Sequence, residues 1–145
     1  MANFPMVGVE EIGHSGPILD LTIQSGAGTF AGFAAHGLID TGSSVVCIST
    51  RIARQLGLRQ IDRDDDLHVV GGGSVVADIY IAVIKIDLLS FEEPVQVYAV
   101  QMPRGSHDVL LGRSFLRNFM VTFDGPNERF HFARAASALY EELDG

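Results

Sequence analysis

Alternation of apolar and polar residues, the mark of β-strands, dominates the chain. PILDLTIQ (17–24) sets Ile18, Leu21 and Ile23 imperfectly against polar neighbours. SGAGTFAGFAAHG (25–37) then reads as a glycine-interrupted turn and a second strand. GLID (37–40) and SVVCIS (44–49) flank a glycine turn. SVVADIYIAVIKIDLL (74–89) is long, β-branched and apolar on both faces around Ile79 to Ile84, which predicts a strand buried on both sides. EPVQVYAVQ, DVLLG, FMVTFD and ERFHFAR complete an all-β reading.

Helical spacing is rare. STRIARQLGL has a hydroxyl start, Ile52 and Leu56 four apart, and Gly57 as a stop. RSFLRNF places Phe115, Leu116 and Phe119 at helical spacing, about two turns. ARAASALYEELDG predicts a short C-terminal helix over about 134–143. Many short strands with little helix indicate a small β-barrel or folded sheet.

Composition narrows the class. The 145 residues suit a single domain, 1–145, with a real core, and 47% apolar residues mark a globular chain. The net charge of −8, without a Lys/Arg cluster, argues against nucleic acid as a partner. A single cysteine, Cys47, excludes an intrachain disulfide framework, suits a reducing compartment and reads as a buried inert thiol. The N-terminus lacks the pattern of a signal peptide, and the longest apolar run is far too short to cross a membrane. A cytoplasmic protein with no membrane partner is the expectation.

One position breaks the strand pattern. Asp40 follows Leu38 and Ile39, and Val45, Val46 and Ile48 resume the apolar run after Gly42. A carboxylate is costly to bury unpaired, so its place calls for a chemical use. Glycine lets the turn approach closely and leaves backbone N–H groups free to orient the carboxylate, and the Thr41 and Ser43 hydroxyls are expected to donate to it. Two carboxyls about 3 Å apart share one proton, so that one acts as base and the other as acid. No other Asp stands in a comparable frame, and a twofold dimer is the economical source of the second.

With DVLLGRSFL some seventy residues beyond Asp40-Thr41-Gly42-Ser43-Ser44, the chain resembles the retropepsin-like aspartic proteases, over roughly Pro17 to Phe132. The resemblance implies an acid-protease β-barrel with a flap hairpin and one or two short helices, acting as a homodimeric endopeptidase. Asp40 would be the catalytic carboxylate, Thr41 would lock the two active-site loops across the axis, and Gly42 would offer backbone to substrate. Leu110, Leu111 and Gly112 would pack beneath the catalytic turn and lead, with Arg113, into a helix reaching Phe119. Val69, Val70, Gly71, Gly72 and Gly73 fall at the flap. With Ser43, Ile79 and Ile81 they would line the site of an extended, apolar-flanked peptide.

The chain departs from the retroviral pattern at Ser44, where an Asp would pair with Arg113, and at Ser43, where a hydroxyl should shift activity towards acid. The terminal strands of the viral dimer interface have no clear counterpart.

Other features are bland. RDDDLH (63–68) reads as a solvated acidic loop that would favour basic substrates only if it flanked the cleft. Ser106-His107-Asp108 cannot converge as a triad, because neighbours in a strand face opposite ways. His36, His68 and His131 lack ligand spacing, so neither metal nor cofactor is expected. The alternative to an enzyme is a non-catalytic module of the same fold that binds peptide or dimerises.

Overall fold

A computed structural model describes residues 7–9, 16–26, 32–69, 72–102 and 107–134. The expected C-terminal helix and most of the turn before Phe33 lie outside them.

Strands β2 (Ile18–Gln24), β3 (Phe33–Ile39), β4 (Val46–Ser49), β6 (Ser74–Ile86), β7 (Phe91–Val100) and β8 (Val109–Leu111) form a closed six-strand barrel. Closure comes from β6, which pairs with β7 along its length and with β2 through Ile23 and Ile84. Closing the sheet removes two edges that would otherwise stay unpaired. A further strand, β5 (Arg59–His68), flanks β6 and makes the hairpin that the glycines turn. β1 (Val7–Val9), β10 (Arg129–Arg134) and β9 (Phe119–Asp124) form a separate three-stranded sheet in that order.

Every second side chain of the barrel faces inward. Leu19, Leu21 and Ile23 of β2 meet Ile39, Ile48, Ile84, Val97 and Leu111 in one buried cluster. The short helices pack their buried side chains into this cluster. α1 (Thr50–Leu56) starts at Ser49, whose hydroxyl accepts the Ile52 N–H, and stops at Gly57, left-handed at φ 58°. Phe115 of α2 (Arg113–Leu116) meets Phe91 of β7 edge-on at 5.2 Å, and Phe119 of β9 meets both Phe91, at 6.0 Å, and Phe115, at 5.3 Å, which fastens the small sheet to the barrel.

Four expectations change. RDDDLH is no loop: it lies within β5, an edge strand whose side chains stay largely in water while its backbone pairs with β6. Such pairing needs no apolar face, so hydropathy could not reveal it. α2 is a single turn, ended where the Asn118 side chain donates to the Phe115 carbonyl at 2.8 Å, and Phe119 already begins β9. β6 is buried on one face at a time and not on both together: Ala77 and Ile79 are buried on one side in its first half, Ala82, Ile84 and Ile86 on the other side in its second. β1 is an N-terminal strand that the sequence did not signal, paired within the chain to β10.

Candidate active site

β8 is threaded between β3 and β4, parallel to the first and antiparallel to the second. The turn joining β3 to β4 must therefore pass the end of β8, and residues far apart in sequence hold it there. The Asp40 N–H donates to the Leu111 carbonyl at 3.1 Å. Past Gly112, the N–H groups of Arg113 and Ser114 donate to the carbonyls of Ser43 and Ser44 at 2.8 and 3.1 Å. Gly112 has no room for a side chain, since a Cβ there would stand 2.1 Å from the Val45 carbonyl oxygen. The Arg113 guanidinium also donates to the Thr41 carbonyl, at 2.6 Å. That backbone oxygen takes the cation at the position where Ser44 leaves it without a carboxylate.

Within this frame the Gly42 N–H donates to Asp40 Oδ1 at 2.9 Å, and the Ser43 N–H closes the turn on the Asp40 carbonyl at 3.2 Å. Asp40 is half-buried, while Thr41 and Gly42 are exposed at the tip. The expected donation from hydroxyls does not occur among the described residues. Ser43 Oγ points back along its own strand and donates to the Val45 carbonyl at 2.8 Å. Its hydroxyl braces the turn instead of the carboxylate.

Strand register builds a wall beside the turn. Residues paired across strands share a face of the sheet. Leu38 pairs with Leu110, Leu110 with Cys47, Cys47 with Tyr98, and Tyr98 with Ile79. This row lies on the face that carries Asp40, two residues beyond Leu38 and outside the barrel core. Cys47 and Ile79 are nonetheless 7% and 6% exposed, and Leu38, Leu110 and Tyr98 are half-buried. Burial pushes the Cys47 thiol above its ordinary pKa; the neighbouring Ser43 hydroxyl opposes this, and the Asp40 charge adds to it. The thiol is thus neutral and within reach of the carboxylate's field.

Several expected site residues meet here and others do not. Asp40, Thr41, Gly42 and Ser43 form the turn, and Ile79 and the half-buried Ile81 lie on its side of β6. Leu110 and Leu111 part company: Leu111 is buried in the barrel, while Leu110 joins the outer wall. At the hairpin tip the Val69 N–H donates to the Gly73 carbonyl at 3.0 Å, and Gly72 takes φ 84°, which favours glycine. Val70 and Gly71 lie outside the described residues. Leu38, Cys47 and Tyr98 were missed as wall residues. Leu38 was within reach, since period two from Asp40 puts it on the same face. Among the described residues no three His, Cys, Asp or Glu side chains gather as a metal site, and no helix is long and apolar enough to cross a membrane.

The sequence model of the family described as "gag-polyprotein putative aspartyl protease" matches residues 27–118. No curated protein matches the chain by sequence. Among solved structures, a retropepsin-like aspartic protease from Rickettsia conorii is similar at a TM-score of 0.58 and 15% identity, over 94% of this chain and 98% of that one. The EIAV protease complexed with the inhibitor HBY-793 is similar at 0.50 and 20% identity, over 70% and 85%. An aspartic proteinase from Irpex lacteus is similar at 0.56 and 14% identity, over 94% of this chain but 48% of its own. At such identities the likeness is one of fold, and the family match carries the assignment. With a family match that spans the Asp40 turn and the Gly112 clamp, and a barrel of the same fold, the chain belongs to the retropepsin-like aspartyl proteases.

Proposed function

We propose that the chain is an aspartic endopeptidase whose working unit is a homodimer, with Asp40 of each copy forming one carboxylate dyad. The observation that carries this reading is a single half-buried carboxylate, fixed by the Gly42 N–H at an exposed turn, beside an apolar wall. One such group is half of an acid–base device. The Irpex lacteus proteinase, of which this chain covers 48%, suggests where the other half lies, in a second copy.

In the dimer, one ionised Asp40 takes a proton from water as the water oxygen bonds to the scissile carbonyl carbon. The protonated copy hydrogen-bonds the carbonyl oxygen as negative charge develops there. Collapse of the tetrahedral species breaks the C–N bond, and the departing nitrogen takes a proton from the dyad. Thr41 reaches across the axis and Gly42 presents its backbone to substrate. An extended peptide lies between the wall and the hairpin of β5 and β6, with Val69, Gly72 and Gly73 near the hairpin tip above it. The wall of Leu38, Leu110, Cys47 and Ile79 favours apolar side chains beside the cut.

The test is digestion of a peptide library at mildly acidic and neutral pH, by wild type and Asp40→Asn, with oligomeric state measured at assay concentration. Cleavage by a wild-type dimer that vanishes in Asp40→Asn is expected. A dimer that cleaves nothing overturns the reading, and a peptide-binding module takes its place.

A further inference from the structure

The three-stranded sheet is covered on one face and bare on the other. Phe119, Val121 and Phe132 turn towards the barrel core. The alternate residues share the opposite face, with Met120 beside Ala133, Thr122 beside His131, and Asp124 beside Arg129. Met120 is 63% exposed there, and Thr122 and Arg129 are exposed with it. A lone exposed methionine needs no partner, but the chain that leaves β10 beside it does. Arg134 ends that strand and is pinned: its guanidinium lies over the Phe91 and Phe119 rings at 5.4 and 5.3 Å and donates to the Ser90 carbonyl at 3.3 Å. The eleven residues that follow, 135–145, therefore start at the Met120 end of the bare face. Among them Ala136, Leu139, Tyr140 and Leu143 recur at helical spacing, a stripe that a helix must bury against something. From Ala136 to Leu143 a helix measures about 12 Å, within the roughly 17 Å of a six-residue strand. Glu141, Glu142 and Asp144 fall in its last turn, where the helix dipole disfavours carboxylates and favours a cation. Laid back along β10, that turn comes to the far end of the sheet, where Arg129 stands. The carboxylate beside Arg129, Asp124, already accepts the N–H and the side-chain amide of Asn127, at 3.3 and 2.8 Å.

We propose that the bare face of this sheet is a docking surface for the chain's own residues 135–145. They fold back on it as a helix, with Ala136, Leu139, Tyr140 and Leu143 against Met120, Thr122 and Ala133, and the acidic last turn at Arg129. The small sheet then has a layer on each side, the barrel on one and this helix on the other. The inference goes beyond the peptidase reading and does not depend on it.

Two cysteine pairs in the full chain test it. Thr122→Cys with Leu139→Cys links the sheet to the apolar stripe, and Thr122→Cys with Ala138→Cys links it to the opposite side of the helix. Under mild oxidation the first pair should form a disulfide within one chain about tenfold faster than the second, with the bond located by peptide mass spectrometry. Equal rates overturn the inference, since a tail without a docked face would close both pairs alike. A bond between two chains overturns it in favour of a second copy as occupant, and no bond from the first pair overturns it outright. Hydrogen exchange on the chain with its native cysteine alone gives an independent reading. Amides of 136–143 should exchange slowly in wild type and about tenfold faster in Met120→Glu, while β6 and β7 keep their protection. Exchange at the unfolded rate in wild type, or no change in Met120→Glu, overturns the proposal.

Discussion

Arg113 holds Thr41. Its guanidinium donates to the Thr41 carbonyl at 2.6 Å across 72 positions of sequence, while its own N–H takes the Ser43 carbonyl at 2.8 Å. The same residue therefore grips the turn at two points. Arg113→Met removes the side-chain grip and leaves the backbone one. We expect a folded protein whose peptidase activity falls roughly tenfold, as one charge-assisted hydrogen bond warrants. The loss should shrink as protein concentration rises, because the Thr41 tip is proposed to meet its copy. Activity measured over a concentration series checks this, and Arg113→Lys should restore part of it.

Gly112→Ala tests the clamp from below. The new methyl would press on the Val45 backbone, which cannot swing aside as a side chain would. The turn must lift away from α2, at a cost of about 1–3 kcal/mol. Urea denaturation should show the loss, and peptidase activity should fall further than stability does.

Ser43→Ala separates bracing from acid–base chemistry. The hydroxyl donates to the Val45 carbonyl and not to Asp40, so its removal should cost about 1 kcal/mol of stability. The acid limb of the pH–rate profile should stay where it is. A limb that moves would show the hydroxyl turning to the carboxylate when substrate is bound.

Cys47 gives a pH dependence of stability. Burial raises the thiol pKa in the fold, so the unfolded chain loses its proton first as pH rises. The contribution is complete below the unfolded value of about 9 and is lost as pH climbs through the raised folded one. Melting at pH 8 and pH 10 should therefore show a steeper fall for wild type than for Cys47→Ala. A thiol reagent at neutral pH should label the native protein slowly and the urea-unfolded chain at once.

The strands that close the barrel were legible because each buries one face, so that Leu19, Leu21 and Ile23, or Ala82, Ile84 and Ile86, keep period two. The Asp40 turn was legible for the opposite reason, as a charge where the pattern calls for an apolar residue. β5 was not, since an edge strand with seven exposed residues among Arg59 to Asp66 looks in sequence like a loop. The wall was not either. Tyr98, Cys47 and Leu110 are neighbours only through strand register, which hydrophobic period does not state. The direction of the Ser43 hydroxyl was likewise beyond reach, because the carboxylate and the Val45 carbonyl lie equally near it along the chain.

Threading β8 between β3 and β4 also sets when the turn can exist. Asp40 emerges early in synthesis, yet the groups that hold its turn, Leu111, Arg113 and Ser114, emerge more than seventy residues later. Until they arrive the carboxylate sits on a loose loop, and β3 and β4 have no strand between them. Contacts so distant in sequence form slowly. A chain still being made, or one broken before Val109, therefore carries the aspartate without the site, and whatever chemistry it performs is withheld from its own unfinished copies.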